Sequence, residues 1–148
     1  MKIIVDANIV FSGILNSNGK IGDLLINSKK HFNFIAPEFL RYEIKDKYEK
    51  LQSISDLNIE QVMEAEYQLC QDITFISEGQ ISYKFWQEAY DLVHDIDIKD
   101  IQYLAYAKQF KCKIWSGDKK LFKGLKTKGF FNIVTTDELF ELRNTRLK

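Results

Sequence analysis

Acidic residues at a few positions of the sequence carry the clearest chemical signal. Asp6 directly follows the apolar run KIIV, and Asp118 comes shortly after the apolar segment KIW. Asp97 and Asp100 lie in the segment DIDIKD, and Glu43 lies at the margin of the apolar stripe of a predicted helix. Carboxylates held close together repel one another strongly unless a cation neutralises them. Oxygen ligands without His or Cys favour Mg²⁺ or Mn²⁺ over Zn²⁺.

Each of these carboxylates also has a simpler local explanation. Asp6, Asp97 and Asp118 each stand where a helix is predicted to begin, so each side chain is a candidate N-cap. Asp97, with Asp100 three residues later, also has the spacing of a capping box. Glu43 on a half-buried helix face needs a partner, and a metal ion, a lysine or an arginine would each serve. The sequence leaves both interpretations open.

The elements that must position these residues alternate between strands and helices. Short apolar runs predict strands over residues 2–5, 32–36, 72–77, 113–116 and 131–134. Apolar residues at helical spacing predict helices over residues 9–15, 22–28, 38–51, 58–72, 81–93, 100–110, 119–126 and 136–142. This alternation predicts an α/β fold with a parallel sheet covered on both faces. Ligands bind outside the carboxyl ends of such strands, where Asp6 and Asp118 lie.

Composition narrows the class of protein further. The 148 residues are 45% hydrophobic and 28% charged, which predicts one packed domain over residues 1–148 and excludes a disordered chain. No apolar run approaches the ~20 residues of a membrane span, and Asp6 interrupts any signal peptide, so we expect a cytoplasmic protein. Cys70 and Cys112 have no CxxC spacing, which argues against a disulfide framework or a zinc site.

Charge is unevenly distributed along the chain although the net charge is +0. Residues 37–100 carry 15 acidic and 6 basic residues, whereas residues 101–148 carry 4 acidic and 11 basic residues. The candidates for binding a phosphate backbone follow Asp118 directly: Lys119, Lys120, Lys123 and Lys126. Lys119, Lys123 and Lys126 share one face of the predicted helix. A solubilising helix face is the alternative explanation for these lysines.

Four segments of the sequence together resemble the motifs of PIN-domain nucleases. They are VDANIVFSG, EFLRYEI, DIDIKDIQYLAYA and IWSGDKKL, and they keep the order of the family over nearly the whole chain. The DIKD and IWSGDKKL segments are most similar to a bacterial, VapC-like subgroup of toxin components from toxin–antitoxin pairs. The resemblance implies a three-layer α/β/α sandwich with a central, mainly parallel sheet. It also implies cleavage of single-stranded RNA with Mg²⁺ or Mn²⁺.

The resemblance also assigns roles to individual residues. By position, the catalytic and metal-binding acids are Asp6, Glu43, Asp100 and Asp118, and Asp97 is implied as a fifth metal-binding acid. Supporting polar positions fall on Asn8, Ser12 and Ser116, the last of which stands where the family often has threonine. A toxin role implies an antitoxin partner and a homodimer.

These observations predict a metal-dependent ribonuclease, and two other classes of protein stay as alternatives. A non-catalytic module would keep the fold and bind RNA or a protein. A receiver-type signalling domain also has an acidic Mg²⁺ pocket, but no suitable phospho-accepting aspartate follows a central predicted strand. His31 and His94 have no spacing that favours a metal-free ribonuclease with two catalytic histidines.

Overall fold

The structure is a computed structural model that describes residues 1–16 and 18–146. The strands are β1 (Lys2–Val5), β2 (Asn33–Pro37), β3 (Ile73–Ile76), β4 (Lys113–Trp115) and β5 (Ile133–Val134). The helices are α1 (Ala7–Leu15), α2 (Lys20–Asn27), α3 (Phe39–Asp46), α4 (Tyr48–Ile54), α5 (Ile59–Cys70), α6 (Tyr83–Val93), α7 (Ile101–Phe110), α8 (Lys119–Thr127) and α9 (Thr136–Arg146). Two 3₁₀ turns, Glu78–Gln80 and Ile98–Asp100, precede α6 and α7.

The five strands form one parallel sheet in the order β3-β2-β1-β4-β5. Side chains alternate between the two faces of a strand. Ile3, Ile4 and Val5 of β1 are nevertheless all 0% exposed, so helices cover both faces of the sheet. One of these helices is α7, which contacts β1, β2 and β4 and packs against α6. The predicted α/β/α sandwich with its parallel sheet is therefore confirmed.

The helix predicted over residues 38–51 is two helices, which is a correction to the sequence analysis. The chain leaves helical geometry at Lys47, whose N–H bonds to the carbonyls of Ile44 and Lys45 in a tightened last turn. Leu40 and Ile44 of α3 and Leu51 of α4 are all buried on either side of this break. The sequence has no proline or glycine at the break, and its apolar residues keep helical spacing across it. The sequence therefore predicted one continuous helix.

The described residues contain no helix that is long and apolar enough to cross a membrane. The predicted domain also includes residues 17, 147 and 148, which lie outside the described residues.

Candidate active site

The strand order places the ends of β1 and β4 side by side at the centre of the sheet. From β1 the chain builds the sheet outward through β2 and β3, and then returns to add β4 and β5 on the other side of β1. Val5 lies opposite Trp115 in the parallel register, and the N–H of Asp6 donates to the Trp115 carbonyl at 3.2 Å. A reversal of this kind opens a crevice at the carboxyl ends of the strands. Asp6 and Asp118, which follow β1 and β4, lie at that crevice.

Asp6 is buried, with 4% of its surface exposed, and both of its carboxylate oxygens have partners. Oδ1 accepts the backbone N–H of Asn8 at 3.3 Å and so caps α1. Oδ2 accepts the hydroxyl of Ser116 at 2.6 Å. Burial raises the pKa of Asp6, and the hydrogen bonds from Ser116 and Asn8 oppose that rise. The side chain is thus a helix cap and also a carboxylate held at the crevice.

Asp118 is tied to Asp6 through the same serine. Ser116 is 0% exposed, and its Oγ accepts the backbone N–H of Asp118 at 3.1 Å while it donates to Asp6. Asp118 Oδ1 in turn accepts the N–H of Leu121 at 3.1 Å and caps α8. The charge of Asp118 raises the pKa of Asp6, so the two carboxylates act on each other across the strand ends.

Glu43 reaches this region from α3 and has a partner that the sequence analysis did not weigh. The hydroxyl of Tyr103 on α7 donates to Glu43 Oε1 at 2.6 Å. Burial of the half-buried side chain raises the pKa of Glu43, and the nearby charge of Asp6 raises it further. The partner that the half-buried Glu43 needs is thus a tyrosine hydroxyl, where a metal ion, a lysine or an arginine was expected. This hydroxyl occupies only one of the two carboxylate oxygens.

Asp100 lies at the junction between a 3₁₀ turn and α7, where the charges of the other predicted acids act on it. Its Oδ2 is buried and has no hydrogen-bond partner among residues 1–16 and 18–146. Burial and the charges of Asp6, Asp97, Asp118 and Glu43 raise the pKa of Asp100 to about 7. The fold therefore brings the five predicted acids close enough for their charges to act on Asp100.

Asp97 is more peripheral than the other four acids. Its side chain is exposed, and Oδ1 caps the 3₁₀ turn by accepting the N–H of Lys99 at 3.0 Å. The N–H of Asp100 bonds to the backbone carbonyl of Asp97, not to its side chain, so the spacing of a capping box produces only a single cap here. The neighbouring Asp95 pairs with Lys128 and faces a different part of the surface.

One cation beside these acids was missed in the sequence analysis. Lys47, at the break between α3 and α4, is half-buried, and its Nζ lies 5.5 Å from the centre of the Phe11 ring on α1. Its positive charge lowers the pKa of both Asp6 and Glu43. Lys50 lies over the same ring at 5.9 Å. The spacing of four residues between Glu43 and Lys47 was the available signal, because such pairs meet on one helix face.

Comparison with known proteins identifies the family of this chain. The family model described as PIN domain matches residues 4–143, which span all four principal acids. The chain belongs to the PIN domain family. A comparison with the curated proteins found no match.

Solved structures share the fold of this chain. The VapBC2 structure from Rickettsia felis, bound to a promoter DNA fragment, contains a chain with a TM-score of 0.65 and 14% identity; the match covers 91% of this chain and 97% of that one. PAE2754 from Pyrobaculum aerophilum matches with a TM-score of 0.70 and 10% identity over 98% and 96% of the chains. SSO1118 from Sulfolobus solfataricus, a PilT N-terminus domain protein, matches with a TM-score of 0.52 and 12% identity over 97% and 93%.

The acids of this PIN domain fit a hard divalent cation in charge and in ligand chemistry. A buried carboxylate oxygen without a partner, as on Asp100, is costly unless something satisfies it. All the ligands that the crevice offers are oxygens, which suit Mg²⁺ or Mn²⁺. In the part of the chain that the structure describes, no three His, Cys, Asp or Glu side chains already stand as a set that would hold an ion. Cation binding would therefore include a local side-chain adjustment.

The supporting positions predicted on α1 and the lysines predicted to bind RNA on α8 are exposed. Asn8 and Ser12 are exposed on α1, and Asn8 contributes its backbone N–H to Asp6. Exposed lysines extend along α8 from Asp118: Lys119, Lys120, Lys123 and Lys126. None of them takes part in the ion pairs found among residues 1–16 and 18–146. Their charges are thus available to a polyanion.

Proposed function

We propose that this PIN domain is a metal-dependent ribonuclease that hydrolyses phosphodiester bonds of single-stranded RNA. The observation that carries the proposal is the environment of Asp100. Its buried Oδ2 has no partner among the described residues, and the strongest charges acting on the carboxyl group are those of four other acids. An acidic cluster of this kind is unfavourable at neutral pH unless a cation shares it. Membership of a nuclease family supports the same conclusion.

In the proposed site, Asp6, Glu43, Asp100 and Asp118 hold one or two Mg²⁺ or Mn²⁺ ions, with the exposed Asp97 as a fifth acid. Such ions lower the pKa of a bound water and neutralise charge at the scissile phosphate. Ser116 holds the Asp6 carboxylate in one orientation by its hydrogen bond. Capping by Asp6 and Asp118 fixes the starts of α1 and α8, so the two carboxylates keep their positions relative to the sheet.

The lysines of α8 supply a path for the substrate. A polyanion needs positive charge near a site that would otherwise repel it, and α8 begins at Asp118 itself. Its exposed lysines would contact phosphates and would not read bases, so their contribution depends on salt and not on sequence. The complete set of four acids favours a nuclease over the non-catalytic module that would keep the fold and bind RNA or a protein. The receiver-domain alternative is abandoned, because the chain belongs to the PIN domain family.

Cleavage of labelled single-stranded RNA with Mg²⁺, Mn²⁺ or EDTA tests the proposal. We expect cleavage with either metal and none with EDTA. Asp6→Asn and Asp118→Asn should each reduce the rate by at least about 10³-fold, since each removes a charged ligand. Asparagine also caps helices, so Asp118→Asn should keep α8 folded. Asp137→Asn is the matched control, because Asp137 is an exposed first-turn acid that pairs with Lys20. Undiminished cleavage in Asp6→Asn or Asp118→Asn would overturn the assignment.

A second part of the proposal is that the nuclease is the toxin of a toxin–antitoxin pair and acts in the cytoplasm as a homodimer. The fold likeness to a chain of the VapBC2 complex and the VapC-like motifs support it. The test begins with the reading frames beside the gene, and any short one that encodes a DNA-binding protein is co-expressed with the chain. Growth arrest by the chain alone, relieved by the neighbour and absent in Asp118→Asn, is the expected result. Light scattering then measures the mass of the chain alone, for which we expect a dimer.

A further inference from the structure

The hydroxyl of Tyr103 joins two elements that carry acids of the site. Tyr103 is 2% exposed and lies one turn into α7, three residues after Asp100. Its hydroxyl donates to Oε1 of Glu43 on α3 at 2.6 Å, and the backbone N–H of Ala7, next to Asp6, also interacts with it. The buried Tyr103 side chain therefore links α3, which carries Glu43, to α7, which begins directly after Asp100.

We propose that Tyr103 is a positioning residue, which holds Glu43 in the orientation that presents its second oxygen to the divalent cation. This inference rests on the function proposed above. A phenol has one hydrogen to donate, so the bond occupies Oε1 and leaves Oε2 available. A short hydrogen bond from a neutral hydroxyl to a carboxylate is among the stronger ones in proteins.

Glu43 needs such a contact more than Asp6 and Asp118 do. Asp6 and Asp118 are short side chains at strand ends, and capping bonds fix them locally. Glu43 has a longer side chain and stands within α3, where no cap holds it. A group that forms a hydrogen bond to a metal ligand orients that ligand, and removing the group weakens metal binding by about 10–100-fold. The hydroxyl of Tyr103 is placed to act in this way.

Tyr106 provides a matched control on the same helix. It is 0% exposed, and its hydroxyl donates to the backbone carbonyl of Ile76 at 2.7 Å, away from Glu43. Tyr103→Phe and Tyr106→Phe each remove one buried hydroxyl from α7 and keep the ring. They differ in the acceptor that is left behind, which is a proposed metal ligand in one case and a strand carbonyl in the other.

The experiment measures Mn²⁺ affinity by calorimetry in the wild type, in Tyr103→Phe, Tyr106→Phe and Glu43→Gln, and in the double variant Tyr103→Phe with Glu43→Gln. We expect Tyr103→Phe to weaken binding about tenfold and Tyr106→Phe to change it less than about twofold. In the Glu43→Gln background, Tyr103→Phe should add less than about twofold, because its effect passes through that carboxylate. A merely structural role would weaken binding equally in both backgrounds.

The outcomes separate the two proposals. If the wild type binds no Mn²⁺, the proposed function fails and this inference fails with it. If the wild type binds Mn²⁺ and Tyr103→Phe binds it equally well, only the role of Tyr103 is overturned. Where Tyr103→Phe does not fold, Glu43→Asp replaces it, since the shorter side chain withdraws the carboxylate from the hydroxyl but keeps its charge. The same tenfold loss is then expected, and wild-type affinity in Glu43→Asp would contradict the proposal.

Discussion

Ser116 and Asp6 are 110 positions apart in the sequence, and the Ser116 hydroxyl donates to Asp6 Oδ2 across 2.6 Å inside the protein. The same oxygen of Ser116 accepts the N–H of Asp118. This serine therefore links the carboxyl ends of β1 and β4 through a side chain as well as through the sheet. Burial raises the pKa of Asp6, and the hydrogen bond from Ser116 lowers it.

Replacing Ser116 by alanine should weaken both the fold and the site. Asp6 would lose its donor while it stays buried, which should lower the free energy of unfolding by ~1–3 kcal/mol in urea titrations. Mn²⁺ affinity should fall as well, since the hydrogen bond that is lost lowers the pKa of Asp6 and holds its carboxylate in place. Ser116→Thr keeps the hydroxyl and should lose less of either quantity. Equal losses in the two variants would show that the hydroxyl is not the cause.

The raised pKa of Asp100 predicts a pH dependence of the stability of the metal-free protein. The folded pKa is about 7 and the ordinary value is 3.8, so the contribution of Asp100 is full below about pH 4 and is lost as the pH rises through 7. Asp6 and Glu43 shift in the same direction. We therefore expect the free energy of unfolding, measured with EDTA, to fall between pH 4 and pH 8.

Asp100→Asn isolates the share of this effect that belongs to one group. The amide does not titrate, so the variant should be more stable than the wild type at pH 8 by ~1–2 kcal/mol, a value reduced for solvent screening of a partly exposed carboxylate. The two proteins should differ little at pH 4. With Mn²⁺ the order at pH 8 should reverse, because the wild type gains binding energy that the variant lacks. A variant less stable than the wild type at pH 8 in EDTA would contradict the prediction.

Lys47 should have opposite effects on the metal and on RNA. Lys47 lies beside Asp6 and Glu43, so its positive charge would repel a divalent cation bound there, and Lys47→Met removes that repulsion. Mn²⁺ affinity should then rise roughly two- to fivefold, whereas binding of RNA should weaken. Lys50→Met is the control, since Lys50 lies over the same Phe11 ring and does not appear among the charges acting most strongly on either acid. A fall in Mn²⁺ affinity in Lys47→Met would show that its packing matters more than its charge.

The lysine face of α8 predicts a change in the salt dependence of RNA binding. In an Asp118→Asn background, which separates binding from cleavage, the triple variant Lys119→Ala, Lys123→Ala, Lys126→Ala should reduce the slope of log affinity against log salt by about 2. Each phosphate of a single strand that is no longer neutralised by a lysine reduces the slope by about 0.7. Lys29→Ala with Lys30→Ala, in the loop before β2, should leave the slope unchanged. An unaltered slope in the triple variant would support the alternative of a solubilising face.

Much of the fold was predictable, because strands buried on both faces appear as unbroken apolar runs. The run over β1 predicted a buried strand with Asp6 at its carboxyl end, and the structure places that strand at the centre of the sheet. The start of α9 was also readable. Thr135 Oγ1 accepts the N–H of Glu138, and the Glu138 side chain accepts the N–H of Thr135 in return.

Capping and clustering were set against each other as explanations for Asp6 and Asp118, and that choice was too narrow. A carboxylate has two oxygens, and Asp6 uses one for the helix and the other for Ser116. The Glu43–Tyr103 bond was not predictable, because it joins residues 60 positions apart and tyrosine on α7 reads as ordinary core. The break at Lys47 was not predictable from the apolar pattern. Leu40, Ile44 and Leu51 keep helical spacing across the break and are all buried, so the pattern is that of one continuous helix.

The order of the strands has a consequence for the chain during its synthesis. Asp6 and Glu43 lie before β3, whereas Asp100 and Asp118 lie after it, and β1 receives its second neighbour only when β4 has been made. A ribosome-bound chain that has emerged as far as β3 carries half of the acids and an exposed edge of its central strand. If cleavage needs all four acids, a chain whose translation stops before Asp118 cannot cut messenger RNA. If the chain is the ribonuclease proposed above, it can cut RNA only after β4 and Asp118 have emerged from the ribosome.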